Sequence, residues 1–256
     1  MKRDWLIIPD FDRLSESLEL SDKYGAAFEY NDFFQPEVYL DEEEVKKRIR
    51  IYKELPRDRS KDTLHGAFLD ISIASRDQNI KKYSWEKVEQ SVWIATQLGV
   101  KGVIFHTGLI GGLEAKSYTE HWLLEAEKLL RYLLEKYLSV DIYMENTFEK
   151  SPICLMNLKE RLKDIDRFAL CLDYGHACLM PLSAEEWVKS MAEYIGHIHL
   201  NDNDLNADLH MIPGEGMIDM KHFESLLEMH HITAPILLEI SDLEGQARAL
   251  EYMNAL

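Results

Sequence analysis

The chain has 256 residues, 46% of them hydrophobic, and a formal net charge of −17. That length suits one large domain or two small ones with a substantial core, and no apolar run reaches the 18 residues of a membrane span. The acidity favours solubility and argues against nucleic acid phosphates as partners, unless a bound metal dominates the local field.

The opening "MKRDWLIIPDFDR" begins with two basic residues, but its apolar run is broken by Pro9 and Asp10. That makes a poor secretory signal. Cys154, Cys171 and Cys178 are an odd set without CxxC spacing. They argue against a disulfide framework and for a reducing cytoplasm. Eight short runs follow one another as strands: "WLIIP" (5–9), "AAFEY" (26–30), "TLHGAF" (63–68), "GVIFH" (102–106), "DIYME" (141–145), "FALCLD" (168–173), "GHIHL" (196–200) and "PILLEI" (235–240). They are apolar on both faces, as strands of a buried parallel sheet are.

Helical patterns lie between them. Helices are predicted near 12–24, 86–98 and 220–229. Val45, Ile49 and Tyr52 share a helix face after the acidic start Asp41–Glu44. In the same segment the basic cluster "VKKRIRIYK" (45–53) reads as the solvated side. Ser117-x-x-Glu120 and Ser183-x-x-Glu186 have the spacing of capping boxes. Leu155, Leu158 and Leu162 share one face, as do Leu243, Ala247 and Leu250. Eight strand–helix pairs in this length predict an α/β fold, a single-domain (β/α)8 TIM barrel over 1–256. A doubly wound open sheet is the runner-up. It normally carries a glycine-rich turn after the first strand, and "PDFDRL" has none.

In such a barrel chemistry gathers at the carboxyl ends of strands. His65, His106, Glu145, Asp173, His199 and Glu239 fall at or near the ends of the third to eighth runs, with His176 three residues past Asp173 and Asp208 and His210 in the loop after His199. A lone histidine at a strand end is commonly a hydrogen-bonded structural residue. Glu145 and Glu239 are harder to explain that way, because an unpaired carboxylate among "DIYM" or "PILL" costs several kcal/mol or takes up a proton. No Lys or Arg stands at the corresponding end of a predicted strand; Lys101 begins its strand. A divalent cation is the natural counter-charge. Imidazole plus carboxylate without thiolate suits Zn²⁺ or Mn²⁺, and also accommodates Fe²⁺ or Co²⁺. Nine ligands can hold one to three ions. His197, two residues before His199, points the same way one layer deeper and reads as a second-rank partner or core residue. His121, His222, His230 and His231 read as surface residues. Cys171 reads as core.

The pieces "LHGAFLDIS", "IFHTG", "YMENT", "CLDYGHA", "HIHLND", "DLH", "PGEG" and "PILLEIS", in this order, resemble the xylose isomerase-like barrel superfamily. That group includes sugar isomerases and epimerases and endonuclease IV-type apurinic endonucleases. The resemblance implies that Glu145, Asp173, His199 and Glu239 form the common four-ligand site. It implies a second zinc site at His65 and His106, and a third at His176, Asp208 and His210.

Three functions follow from it. The first is a metal-dependent isomerase or epimerase of a small sugar or sugar phosphate. There the metal acts as Lewis acid on an enediolate, Glu145 and Glu239 serve as acid and base, and His176 orients a sugar oxygen. Phe68, Trp85, Phe148 and Tyr174 are candidate walls of its pocket, with ordinary packing as the alternative for each. The second is a two- or three-metal phosphoester hydrolase, which the nine positions favour. The short acidic loops, including "NDFFQPEVYLDEEE", argue against it because they offer nothing basic to grip DNA. The third is a binding barrel without activity, although no ligand of the set is missing. The first is preferred. A homo-oligomer is compatible with all three.

Overall fold

The computed structural model describes residues 3–113 and 115–256; Met1 and Lys2 of the opening segment lie outside them. The eight predicted runs all form strands: β1 Trp5–Ile7, β2 Ala27–Tyr30, β3 Thr63–His65, β4 Gly102–His106, β5 Asp141–Glu145, β6 Phe168–Asp173, β7 Ile195–Leu200 and β8 Ile236–Leu238. They are hydrogen-bonded in that order into a closed barrel. Closure removes the open-sheet alternative. The helices are α1 Leu14–Tyr24, α2 Pro36–Tyr39, α3 Glu42–Glu54, α4 Gln78–Leu98, α5 Lys116–Lys136, α6 Ile153–Arg161, α7 Tyr174–Leu179, α8 Ala184–Met191, α9 Met220–Met229 and α10 Leu243–Ala255. No described helix is long and apolar enough to cross a membrane.

Internal contacts group the chain into two compact units. The first comprises Met1–Glu29, Glu145–Ile153 and Leu170–Leu256. In it β1 pairs in parallel with both β2 (Leu6↔Ala27) and β8 (Leu6↔Leu237), and β7 pairs with both β6 and β8. Leu6, Ile7, Phe28, Leu172, Ile198, Leu200 and Ile236 to Leu238 are sealed from solvent, as are Trp187 and Phe223 of α8 and α9. Each such side chain contributes roughly 1.5–3 kcal/mol relative to exposure. Ser183 caps α8 as predicted: its hydroxyl accepts from the Glu186 amide and donates to the Glu186 carboxylate at 2.9 Å. On α10 the buried face is Leu243, Gln246, Leu250 and Met253, with Ala247 at its margin. The Gln246 amide donates to Ile8 O (2.9 Å) and Ile240 O (2.8 Å), fastening the helix to the ends of the first and last strands.

The second unit comprises Tyr30–Met144 and Cys154–Ala169. Here β3 and β4 pair in parallel, with His65 opposite Ile104. Helix α3 buries Val45, Ile49 and Tyr52, as their spacing predicts, and Asp41 caps it by accepting from the Glu43 and Glu44 amides. Leu155, Leu158 and Leu162 are all buried. Helix α4 starts at Gln78 rather than at 86, because Asp77 supplies the cap. The Ser117 capping box does not form. The Tyr118 and Thr119 amides close on Ala115 O, so Ser117 lies inside the first turn of α5, and Glu120 pairs with Arg161 instead. Lys101 meets Asp141 at 2.7 Å, at the amino ends of β4 and β5.

Candidate metal centre

Strand alternation builds the floor of the site. In the β6–β7 register Cys171 lies opposite His197 and Asp173 opposite His199. Residues two apart share a face, so the four side chains form two layers. All four are fully buried. Glu145 closes β5, and Glu239 follows β8, its amide donating to Leu200 O at 3.0 Å.

His199 is the hub. Its Nδ1 lies 3.3 Å from Glu145 Oε2 and 3.6 Å from Glu239 Oε2, while its Nε2 lies 3.1 Å from Glu29 Oε1. The other Glu29 oxygen stands 3.0 Å from His197 Nε2. Asp173 also caps α7: its Oδ1 accepts from the His176 amide at 2.6 Å. That one-turn spacing brings the His176 ring back over the strand ends, with Nδ1 3.5 Å from Asp173 Oδ2 and 3.6 Å from Glu145 Oε1.

A second cluster adjoins the first. Asp208 Oδ2 lies 3.2 Å from both His176 Nε2 and His210 Nε2. Each ring uses its other nitrogen on a carbonyl: His176 Nδ1–H donates to Asn146 O (3.0 Å) and His210 Nδ1–H to Glu239 O (3.1 Å). A carbonyl can only accept, so each Nδ1 carries its proton. Each Nε2 then faces the same carboxylate oxygen, an arrangement that requires either imidazolium or a cation between them. His210 adopts a positive φ of 47°, an uncommon conformation for a residue other than glycine. Asp202 holds this loop in shape. Its buried carboxylate accepts from the amides of Asn203, Gly214, Gly216 and Ile218 at 2.9–3.0 Å. A Cβ on Gly216 would fall 2.3 Å from Asp202 Oδ1.

Protons supply the counter-charge. Burial opposes charge on His176, yet Asp173, Asp208 and Glu145 hold its pKa well above the ordinary value. His199 is likewise raised, burial being outweighed by Cys171, Glu29, Glu145 and Glu239. His210, also opposed by burial, is held at about 9 by Asp208 and Glu239. Burial, reinforced by Glu239 and Glu145, pushes Asp173 up to about 7. Burial would raise Glu29, but His199 and His197 hold it below the usual carboxylate range. Among the described residues, the buried oxygens Asp173 Oδ2 and Glu239 Oε2 accept no hydrogen bond. Lone pairs so placed, beside imidazoles that must otherwise carry protons, fit a divalent cation. Glu145, Asp173, His199 and Glu239 would hold one, and His176, Asp208 and His210, whose donor atoms lie within 4.8 Å of one another, a second.

Seven predicted ligands thus fall in the first unit. His65 and His106 lie in the second, at the ends of β3 and β4, their ring centroids 5.0 Å apart. Phe68 stacks on His106 at 4.3 Å. Trp85 lies on α4, its Nε1–H donating to Ile73 O, beside Lys81, Glu89, Leu129 and Tyr132. Phe148 is half exposed, 5.3 Å from the His176 ring, and remains a candidate wall. Tyr174 begins α7 and is buried against Phe223 at 4.6 Å, an arrangement that fits ordinary packing. Glu29 was not foreseen. Its signal was the one that marked Glu145, a carboxylate near the end of an apolar run, "AAFEY".

The sequence matches the model of a family described as xylose isomerase-like TIM barrel over residues 21–256. Apurinic-apyrimidinic endonuclease 1 of Schizosaccharomyces pombe is 26% identical over 211 residues, spanning 73% of this chain and 60% of that protein. A Thermus thermophilus protein soaked with ZnCl2 superposes with a TM-score of 0.78 at 21% identity, covering 98% of this chain and 97% of that one. A D-tagatose 3-epimerase-like protein gives 0.76 at 21% identity, with 98% and 96% covered. A closed eight-stranded barrel and a family match over nearly its whole length lead to one conclusion: the chain belongs to the xylose isomerase-like TIM barrel family.

Proposed function

We propose that the protein is a metal-dependent isomerase or epimerase of a small sugar or sugar phosphate. One observation carries this reading: Glu145 and Glu239, from separate strand ends, both bring a carboxylate oxygen within 3.6 Å of the same His199 nitrogen. Two carboxylates flanking one point can take a proton from a carbon on one side and return it on the other. A divalent cation bound there would supply Lewis-acid polarisation of adjacent carbonyl and hydroxyl oxygens. Glu145 and Glu239 move the carbon-bound proton, and His176 steers a sugar oxygen. Phe148, half exposed 5.3 Å from the His176 ring, offers an apolar face to a bound sugar. The D-tagatose 3-epimerase-like neighbour supports this reading.

A second reading, a multi-metal phosphoester hydrolase, is favoured by the separate His176–Asp208–His210 cluster and by the endonuclease relative. Weighing against a nucleic acid substrate, the segments 145–153, 174–183, 201–219 and 239–242 contain a single basic side chain, Lys150, besides their histidines. The test loads the protein with Mn²⁺, Co²⁺ or Zn²⁺ and incubates it in D2O with free and phosphorylated ketoses. Deuterium appearing by NMR at the carbon next to the carbonyl is the expected result. Cleavage of an abasic-site duplex or a small phosphodiester, without exchange, would replace this reading with the second.

A further inference from the structure

Glu29 has no role in the proton transfer proposed above, yet its position is not one that packing requires. It is fully buried near the end of β2, in a strand otherwise built of Ala27, Phe28 and Tyr30. A carboxylate there is costly unless specific partners hold it. Its two oxygens are divided between the two β7 imidazoles, Oε2 to His197 Nε2 at 3.0 Å and Oε1 to His199 Nε2 at 3.1 Å. His197 and His199 are two residues apart on one strand face, their ring centroids 5.3 Å apart and their planes at 82°. One carboxylate therefore fixes both rings. The far side of His199 points the other way: Nδ1 faces Glu145 and Glu239.

We propose that Glu29 is a positioning residue that locks His199 with its proton on Nε2, so that the Nδ1 lone pair is aimed at a divalent cation shared with Glu145, Asp173 and Glu239. A neutral imidazole has one protonated nitrogen and one lone-pair nitrogen; in His199, Nε2 faces Glu29, while Nδ1 faces the carboxylates that would share the cation. Glu29 can only accept while ionised, so it selects the tautomer. His197 occupies the second oxygen and stops the carboxylate from rotating away. Carboxylate–histidine–metal chains of this form orient the ligand ring and raise its basicity, and losing the outer carboxylate weakens metal binding about 10- to 100-fold. Glu29 thus acts on the cation through His199 and touches neither cation nor substrate.

This inference rests on the metal-dependent reading, and the experiment separates the two. Zinc is titrated against a chelator into the full-length protein and into Glu29→Gln, with circular dichroism as the check on folding. Histidine ring nitrogens are followed by long-range ¹H–¹⁵N NMR. In the zinc-loaded wild type, His199 should show a protonated Nε2 and a metal-bound Nδ1. In Glu29→Gln, zinc affinity should fall about 10- to 100-fold, and the single His199 tautomer should give way to a mixture. A purely structural role would lower the melting temperature and leave both readouts unchanged, which would overturn the proposal. So would a zinc-loaded wild type with His199 bound through Nε2, a result that needs no variant and stands even if Glu29→Gln does not fold. A wild type that binds no zinc would overturn the metal reading as well, whereas equal affinity in both proteins would overturn only the role of Glu29.

Discussion

The side chain with the greatest consequence is Glu239. Its carboxylate approaches both His199 and His210, and its carbonyl receives the His210 ring proton, so one residue joins the two clusters. Glu239→Gln keeps the shape and the carbonyl but loses the charge. Zinc retention and ketose proton exchange should both be abolished, measured by metal analysis after desalting and by NMR in D2O; full activity in that variant would remove the residue from the mechanism. A pH effect belongs to the same scale. His210 is raised from 6.5 to about 9 by Asp208, so its pairing stabilises the metal-free fold fully below about 6.5 and is lost as pH rises through about 9. The metal-free protein should therefore melt lower at pH 9.5 than at pH 7, while the zinc-loaded form, its imidazoles already deprotonated, should show a smaller decline. Glu145, Asp173 and His199 were legible from sequence because each falls at or next to the end of an apolar strand, where an ionisable group needs a partner. Glu29 carried the same mark. What hid it was its function: its partners are the two β7 histidines, a pairing that only closure of the strands in space reveals.

At the scale of elements, the loop from Asn201 to Asp219 carries Asp208 and His210 on a frame made by Asp202. Four amides converge on that one buried carboxylate. Asp202→Ala would strand them, at a cost on the order of 3 kcal/mol or more. Thermal melting should show the loss, and zinc stoichiometry should fall first at the His176–Asp208–His210 cluster, with the Glu145–Asp173–His199–Glu239 site retained. Equal loss at both would mean that the loop does not act as a separate frame. Gly216→Ala, whose added methyl meets Asp202 and Asn203 O, should act in the same direction. The strands were legible because double-sided apolar runs are distinctive, and α3 and α9 because their patterns repeat at helical spacing. The six-residue α7 was not, being too short to show a period. Its start is nonetheless what places His176 and turns Tyr174 into the core. Ser117 misled because a capping pattern holds only where an earlier residue does not already close the turn, as Ala115 does here.

For the molecule as a whole, a cation bound by the native barrel and not by the unfolded chain adds stability through mass action. At a zinc concentration of 100 times Kd the gain is about 2.7 kcal/mol, which for a chain of this size corresponds to a melting shift of roughly 5–10 °C. Chelation should remove that increment reversibly, as read by calorimetry. The barrel itself was legible at this scale because eight strand–helix repeats leave few other ways to bury strands on both faces. The division of the predicted ligands between two compact units was not, because the residues that make it up come from separate stretches of chain.

Cys171 lies one layer beneath Asp173, with no exposed surface, and burial holds its thiol far above the usual range of ionisation. A sulfur so enclosed is chemically silent in the intact barrel. It becomes a built-in timer: the rate at which iodoacetamide alkylates it reads how often the strands part, with no label added from outside.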